Sequence, residues 1–137
     1  MKVDASAWRS LGRTGNAAFY ELEPRVLVVI PDEGTADDEA TAKASVRLQL
    51  EHLRQHGRRA GVVVLMDRVV EQTAAARAVY RDQPDPSFQA CFALVGGTMF
   101  GRAIASIFIG LHPPRVPTKL FATFEEAVAW CRTMAGA

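Results

Sequence analysis

Cysteine, histidine and lysine are all scarce in this chain, and each shortage removes a class of function. Among 137 residues the only cysteines are Cys91 and Cys131, in apolar segments, without Cys-x-x-Cys spacing and without a neighbouring histidine. A structural zinc site needs a denser ligand set, so the expectation is two buried free thiols and no metal. The three histidines are His52, His56 and His112. His52 and His56 are four residues apart, a spacing that would suit a metal. No His-Glu-x-x-His pattern surrounds them, however, and Gln55, Arg58 and Arg59 lie alongside, so they read as solvated helix histidines. His112 precedes two prolines and reads as a local hydrogen-bonding group. Lysine occurs only at positions 2, 43 and 119, and the formal net charge is +1. A nucleic-acid binder usually carries a clear basic excess or stripe, so none is expected as a partner. No apolar run approaches the ~20 residues that span a bilayer, and Met1 to Trp8 lacks the apolar stretch of a secretory leader; a cytoplasmic location is expected.

What is present is ordinary globular composition, 49% hydrophobic and 23% charged, at a length that suits one domain. Residues 1–15 are polar and glycine-bearing and read as a flexible N-terminal arm, leaving residues 16–137 as a single domain. Ala17–Leu22 and Arg25–Ile30 flank a proline-bearing turn and predict a hairpin, the second strand apolar enough to be covered on both faces. Thr35 is placed to cap a helix that opens on Ala36-Asp37-Asp38-Glu39 and runs to about His56 before Gly57. Gly61–Met66 is the most strand-like run, followed by Asp67-Arg68 and a helix from Thr73 to about Tyr80. Ala90–Val95 predicts another buried strand. Thr98–Leu111 predicts a helix with Phe100, Ile104, Ile107, Phe108 and Leu111 at helical spacing. Lys119–Phe121 is a short edge strand, and Thr123 with Glu126 forms a capping-box pattern for the last helix. The resulting order, β-β-α-β-α-β-α-β-α, implies a largely parallel sheet flanked by helices with an antiparallel edge.

No nucleophile stands beside an oriented base in this pattern, and the carboxylates at Asp37-Asp38-Glu39 and Glu125-Glu126 fall in first helical turns, where capping and the helix dipole account for them. No enzyme chemistry and no cofactor are therefore expected. Two polar sites invite contact. Asp67 and Arg68 leave the end of a buried strand, where open α/β sheets meet ligands and partners. Thr73 and Arg77 follow on the next helix, where the threonine serves as a cap or as a phosphorylation point. Gly97, Thr98 and Arg102 form a strand-to-helix turn suited to a small anion, although Gly96-Gly97-Thr98-Met99-Phe100-Gly101-Arg102 lacks the full nucleotide-loop pattern.

The strand ending in Asp67-Arg68, the helix opening at Thr73 and Arg77 within it together resemble the centre of STAS-like domains. The SpoIIAA-like branch is closer still, through Leu94-Val95-Gly96 leading to Gly101–Ala105, Pro117–Phe121 and Glu125–Trp130. That resemblance covers about residues 17–135. It implies an α/β fold with a four- or five-stranded mixed sheet flanked by helices, and a non-enzymatic regulatory role through protein contacts in bacterial signalling. In antagonists of the SpoIIAA type a serine or threonine after the central strand is phosphorylated by a partner kinase that is also an anti-sigma factor. Thr73 is the matching position here. The usual Asp-Ser-Ser/Thr-Gly motif is replaced by Glu71-Gln72-Thr73-Ala74-Ala75. The alternatives are a carrier or sensor of a small lipid or nucleotide, held between the sheet and the helix bearing Ile104, Ile107 and Phe108, and a homodimer formed through Thr98–Leu111 and Pro113-Pro114.

Overall fold

The structure is a computed structural model, and residues 3–99, 102–103 and 114–136 are described. Three largely buried and mainly apolar runs make the centre of a six-stranded sheet: β3 (Val26–Pro31), β5 (Ala60–Leu65) and β7 (Gln89–Val95). These three are parallel, with β8 (Thr118–Phe121) parallel beyond β7. β2 (Ala17–Glu23) and β1 (Arg9–Arg13) extend the other side as antiparallel neighbours, in the order β1-β2-β3-β5-β7-β8.

Alternation along each central strand feeds two cores. Leu27 and Val29, Val62 and Val64, and Phe92 and Leu94 face one side with Phe19 and Leu53. Val26 and Val28, Val63 and Leu65, and Cys91, Ala93 and Val95 face the other, where the last helix, α3 (Phe124–Gly136), supplies Ala127, Val128 and Cys131. The first face is covered by α1 (Glu39–His56), with α2 (Ala74–Asp82) packed on α1 through Ala42, Val46, Leu50, Ala76 and Val79. Gly57 ends α1 in the left-handed conformation that glycine adopts without strain. Thr123 accepts a hydrogen bond from the Glu126 amide at 3.2 Å and donates its hydroxyl to the Glu126 carboxylate, so the predicted cap of the last helix is in place.

Two features depart from the expected order. Arg9–Arg13 is no loose arm but the edge strand β1, with Leu11 against one core and neighbouring Trp8 stacked on Phe124 and edge-on to Tyr20. One leucine and one tryptophan, with a register irregularity at Gly12, are too sparse for a strand pattern, and only the pairing to β2 defines it. Thr35 does not cap α1. Thr35–Asp37 is the short strand β4, and Asp38 caps the helix by accepting from Thr41 N at 2.9 Å. Its partner is β6 (Val69–Gln72), parallel to it in a separate two-stranded ribbon. The expected helix over 98–111 lies largely outside the described residues, as do Ile104, Ile107, Phe108 and Pro113.

Candidate functional site

The carboxyl halves of the central strands are not fully roofed by the described helices. Val29 and Pro31 from β3, Val64 from β5 and Met66 just beyond it, and Phe92 and Leu94 from β7 floor a recess that is open on one side. Open α/β sheets commonly bind ligands beside the carboxyl ends of their strands, and ligand sites are mostly apolar with a few placed polar groups.

The polar groups stand at one side of the recess, and Asp37 organises them. β4 delivers its side chain into the interior, where it is 6% exposed. One carboxylate oxygen accepts from the Thr41 hydroxyl at 2.6 Å and from Asn16 Nδ2 at 3.5 Å. The other accepts from the Tyr80 hydroxyl at 2.7 Å and from Gln72 Nε2 at 3.3 Å. Asp37 thus ties together α1, α2, the β6 ribbon and the turn before β2. The expectation that its charge serves a first helical turn holds for Asp38 and Glu39 but fails for Asp37, which lies one residue before the cap.

Behind Tyr80 runs a one-way hydrogen-bond chain. The Asp85 amide donates to Gln89 Oε1 at 2.9 Å, Gln89 Nε2 to Gln49 Oε1 at 2.8 Å, and Gln49 Nε2 to Ser45 Oγ at 3.1 Å. The chain ends at Ser45, beside which the Tyr80 hydroxyl donates to Asp37. From the Asp85 amide to Ser45 every donor points the same way, so each bond polarises the next. Burial first, and then the Asp37 carboxylate, push the Tyr80 phenol well above its ordinary range, which keeps it a hydrogen-bond donor. One group is left over: Gln72 Oε1 is buried without a hydrogen-bond partner.

The profile of a family described as a domain of unknown function, DUF7793, matches residues 20–135. The chain belongs to the DUF7793 family. Among solved structures, it is similar to an uncharacterized protein of the DUF3478 family with a SpoIIAA-like fold from Shewanella loihica PV-4. The TM-score is 0.51 and the identity 8%, over 95% of this chain and 99% of that one. At that identity the likeness concerns the fold alone, and this DUF7793 domain has the SpoIIAA-like α/β fold that the resemblance implied. No curated protein matches the chain.

In this DUF7793 domain the polar residues singled out from sequence are largely engaged by their own neighbours. Asp67 sits in a 3-10 turn (Met66–Arg68) and accepts from Gly97 N at 2.9 Å, Thr98 N at 3.0 Å and the Thr98 hydroxyl at 2.8 Å. Burial raises its pKa, but these three donors more than offset that and hold the carboxyl below its ordinary value. Its carboxylate therefore fills the place offered to an anion at Gly97 and Thr98, while Arg102 donates to Gly96 O at 3.3 Å. Arg68 lies 3.8 Å from Glu33. Thr73 caps α2 by accepting from Ala76 N at 3.1 Å, and Arg77 donates to Gln72 O at 2.8 Å. The structure thus joins Asp67 to Gly97 and Thr98, and joins Thr73 and Arg77 to the Gln72 side of the recess.

The histidines differ from expectation in one respect. His56 is exposed, but His52 packs against buried Glu21, its Nε2 3.3 Å from the carboxylate. Arg58 reaches the same carboxylate at 3.1 Å. The His52 contact is close in distance but poorly aligned as a hydrogen bond. Burial, followed by the neighbouring His56, lowers the His52 pKa. Cys91 and Cys131 are buried free thiols with sulfurs 3.7 Å apart. No described helix is long and apolar enough to cross a membrane.

The residues that define the recess escape a sequence search because they come from many separate segments of the chain. The usable signals were small: a third acid ahead of the true cap, and glutamines at 49 and 89 inside otherwise apolar patterns.

Proposed function

We propose that this chain is a non-enzymatic binding module, a carrier or sensor of a small and largely apolar molecule seated in the recess over β3, β5 and β7. The observation that carries this reading is an apolar strand face that the described residues leave open, beside a fixed polar side built on Asp37. Tyr80 supports the non-catalytic part, since its proton is held in place and not poised for transfer. A neutral polarity-sensitive dye, Nile red, tests the reading. Its emission should rise and saturate with this protein, and Val64→Phe, which fills the floor, should weaken binding by about tenfold. Dye binding that is unchanged in Val64→Phe would contradict the site.

A protein partner at the strand exit is the second reading, favoured by Val70 and Met99, the exposed large hydrophobic residues among those described. On this reading Asp67, Arg68, Thr73 and Arg77 surround a contact for a regulatory protein such as a kinase or anti-sigma-like factor, or for a second copy of the chain. Self-association seen by light scattering and lost in Met99→Asp would support the second-copy form, and a monomer at every concentration would remove it.

A further inference from the structure

We propose that Cys91 and Cys131 are a redox pair, closing to a disulfide that ties α3 to β7 when the chain meets a low-molecular-weight disulfide such as oxidised glutathione. Cys91 stands on β7 and Cys131 on α3, and their sulfurs lie 3.7 Å apart inside one core. Gly61 sets the meeting. It is the Cα partner of Cys91 on the neighbouring strand β5, and a Cβ there would fall 2.5 Å from that of Cys131. With no side chain at 61, α3 comes down onto the backbone of the sheet beside the strand that carries Cys91. A disulfide needs its sulfurs about 2 Å apart, and partial rotation about the two Cα–Cβ bonds covers the remaining gap. The chain has no other cysteine, so neither sulfur has a competing partner within it.

In the closed fold both thiols are buried. The hydrogen bond with Cys91 first, and then burial, push the Cys131 thiol far above its ordinary range, so it stays protonated and does not attack. Exchange therefore begins when α3 lifts locally and one sulfur meets the oxidant. That thiol gives up its proton, and its thiolate attacks a sulfur of the small disulfide. The S–S bond breaks and one small thiolate leaves. The second cysteine, likewise deprotonated, attacks the protein sulfur of the mixed disulfide and expels the other small thiolate. The protein loses two electrons and two protons, and the small disulfide is reduced to two thiols. The new bond lies in the core beneath α3, on the sheet face away from Val64, Phe92 and Leu94, so it secures the helix and leaves the recess as it is.

The test is the equilibrium of the full chain with reduced and oxidised glutathione at about pH 8, approached from the reduced and from the oxidised protein. Samples quenched in acid are weighed by mass spectrometry. The closed pair is two hydrogens lighter than the reduced chain and carries no glutathione. The reference is the same chain unfolded in urea, where the sulfurs meet only by chance. Because the fold holds the sulfurs together, the folded protein should stay half oxidised at a glutathione quotient (reduced squared over oxidised) about tenfold more reducing than the unfolded chain tolerates. By the same linkage the oxidised protein should unfold at a higher urea concentration than the reduced one. A folded chain that is no more readily oxidised than the unfolded chain overturns the inference. So does one that accumulates glutathione adducts or disulfide-linked dimers in place of the internal bond. The wild-type protein decides alone, and no variant has to fold.

Discussion

Replacing Asp37 by alanine should destabilise the fold by about 3 kcal/mol, read as a lower midpoint in urea unfolding. The substitution removes a small volume but strands several donors. Tyr80, Gln72 and Thr41 all give hydrogens to this carboxylate, and they approach it from three different elements. Each donor left buried without an acceptor costs about 1–3 kcal/mol, partly relieved where water can enter from the recess. Tyr80→Phe should cost less, because it removes one donor and leaves the carboxylate with the others. The double variant should be less damaging than the sum of the two, since the tyrosine hydroxyl and the carboxylate belong to one network. Additive effects, or a loss under about 1 kcal/mol for Asp37→Ala, would mean that Asp37 is not the hub described here.

The second large effect lies on the opposite face of the sheet. Gly61→Ala should be among the most damaging single-methyl additions in this chain, costing about 3 kcal/mol or more. A Cβ at this position would lie 2.5 Å from Cys131 Cβ, 2.7 Å from its sulfur and 2.8 Å from its Cα. The last of these is backbone, so no rotamer change relieves it, and α3 must move off the sheet. Thermal unfolding of Gly61→Ala should show a much lower midpoint. Adding Cys131→Ala should restore little of it, because alanine keeps both carbons that the new methyl would strike. A variant as stable as the wild type would contradict the close approach of α3 to β5.

How much of this was legible in the sequence depends on how local each signal is. β3, β5 and β7 are continuous apolar runs buried on both faces, and such runs announce themselves. The helices carry their own punctuation, with Gly57 closing α1, Thr73 opening α2 and Thr123 opening α3. β4 and β6 could not be read this way. Three and four residues long, they exist because Ala36 meets Glu71 and Asp37 meets Gln72 across more than thirty positions of chain. The same pairing explains the misplaced helix start, since Asp37 and Asp38 look alike in sequence and differ only in which one the ribbon carries inward. The candidate residues Asp67 and Thr73 were well placed in the fold, at a strand exit and a helix start. Thr73 as a cap was readable from its place at the helix start, but the hold of Asp67 on the Gly97 and Thr98 amides was what the sequence concealed. The recess was hidden for the same reason, being assembled from Asn16 through Leu94.

Methyl-resolved NMR during titration with decanol tests the central claim most directly, because the central strands carry their own control. Val29, Val64 and Leu94 line the recess, while Val28, Val63 and Val95 sit on the other face of the same strands beneath α3. The account predicts saturable shifts at the first three, with the second three nearly unmoved. Shifts concentrated on the α3 face, or none at any of the six at saturating ligand, would contradict it.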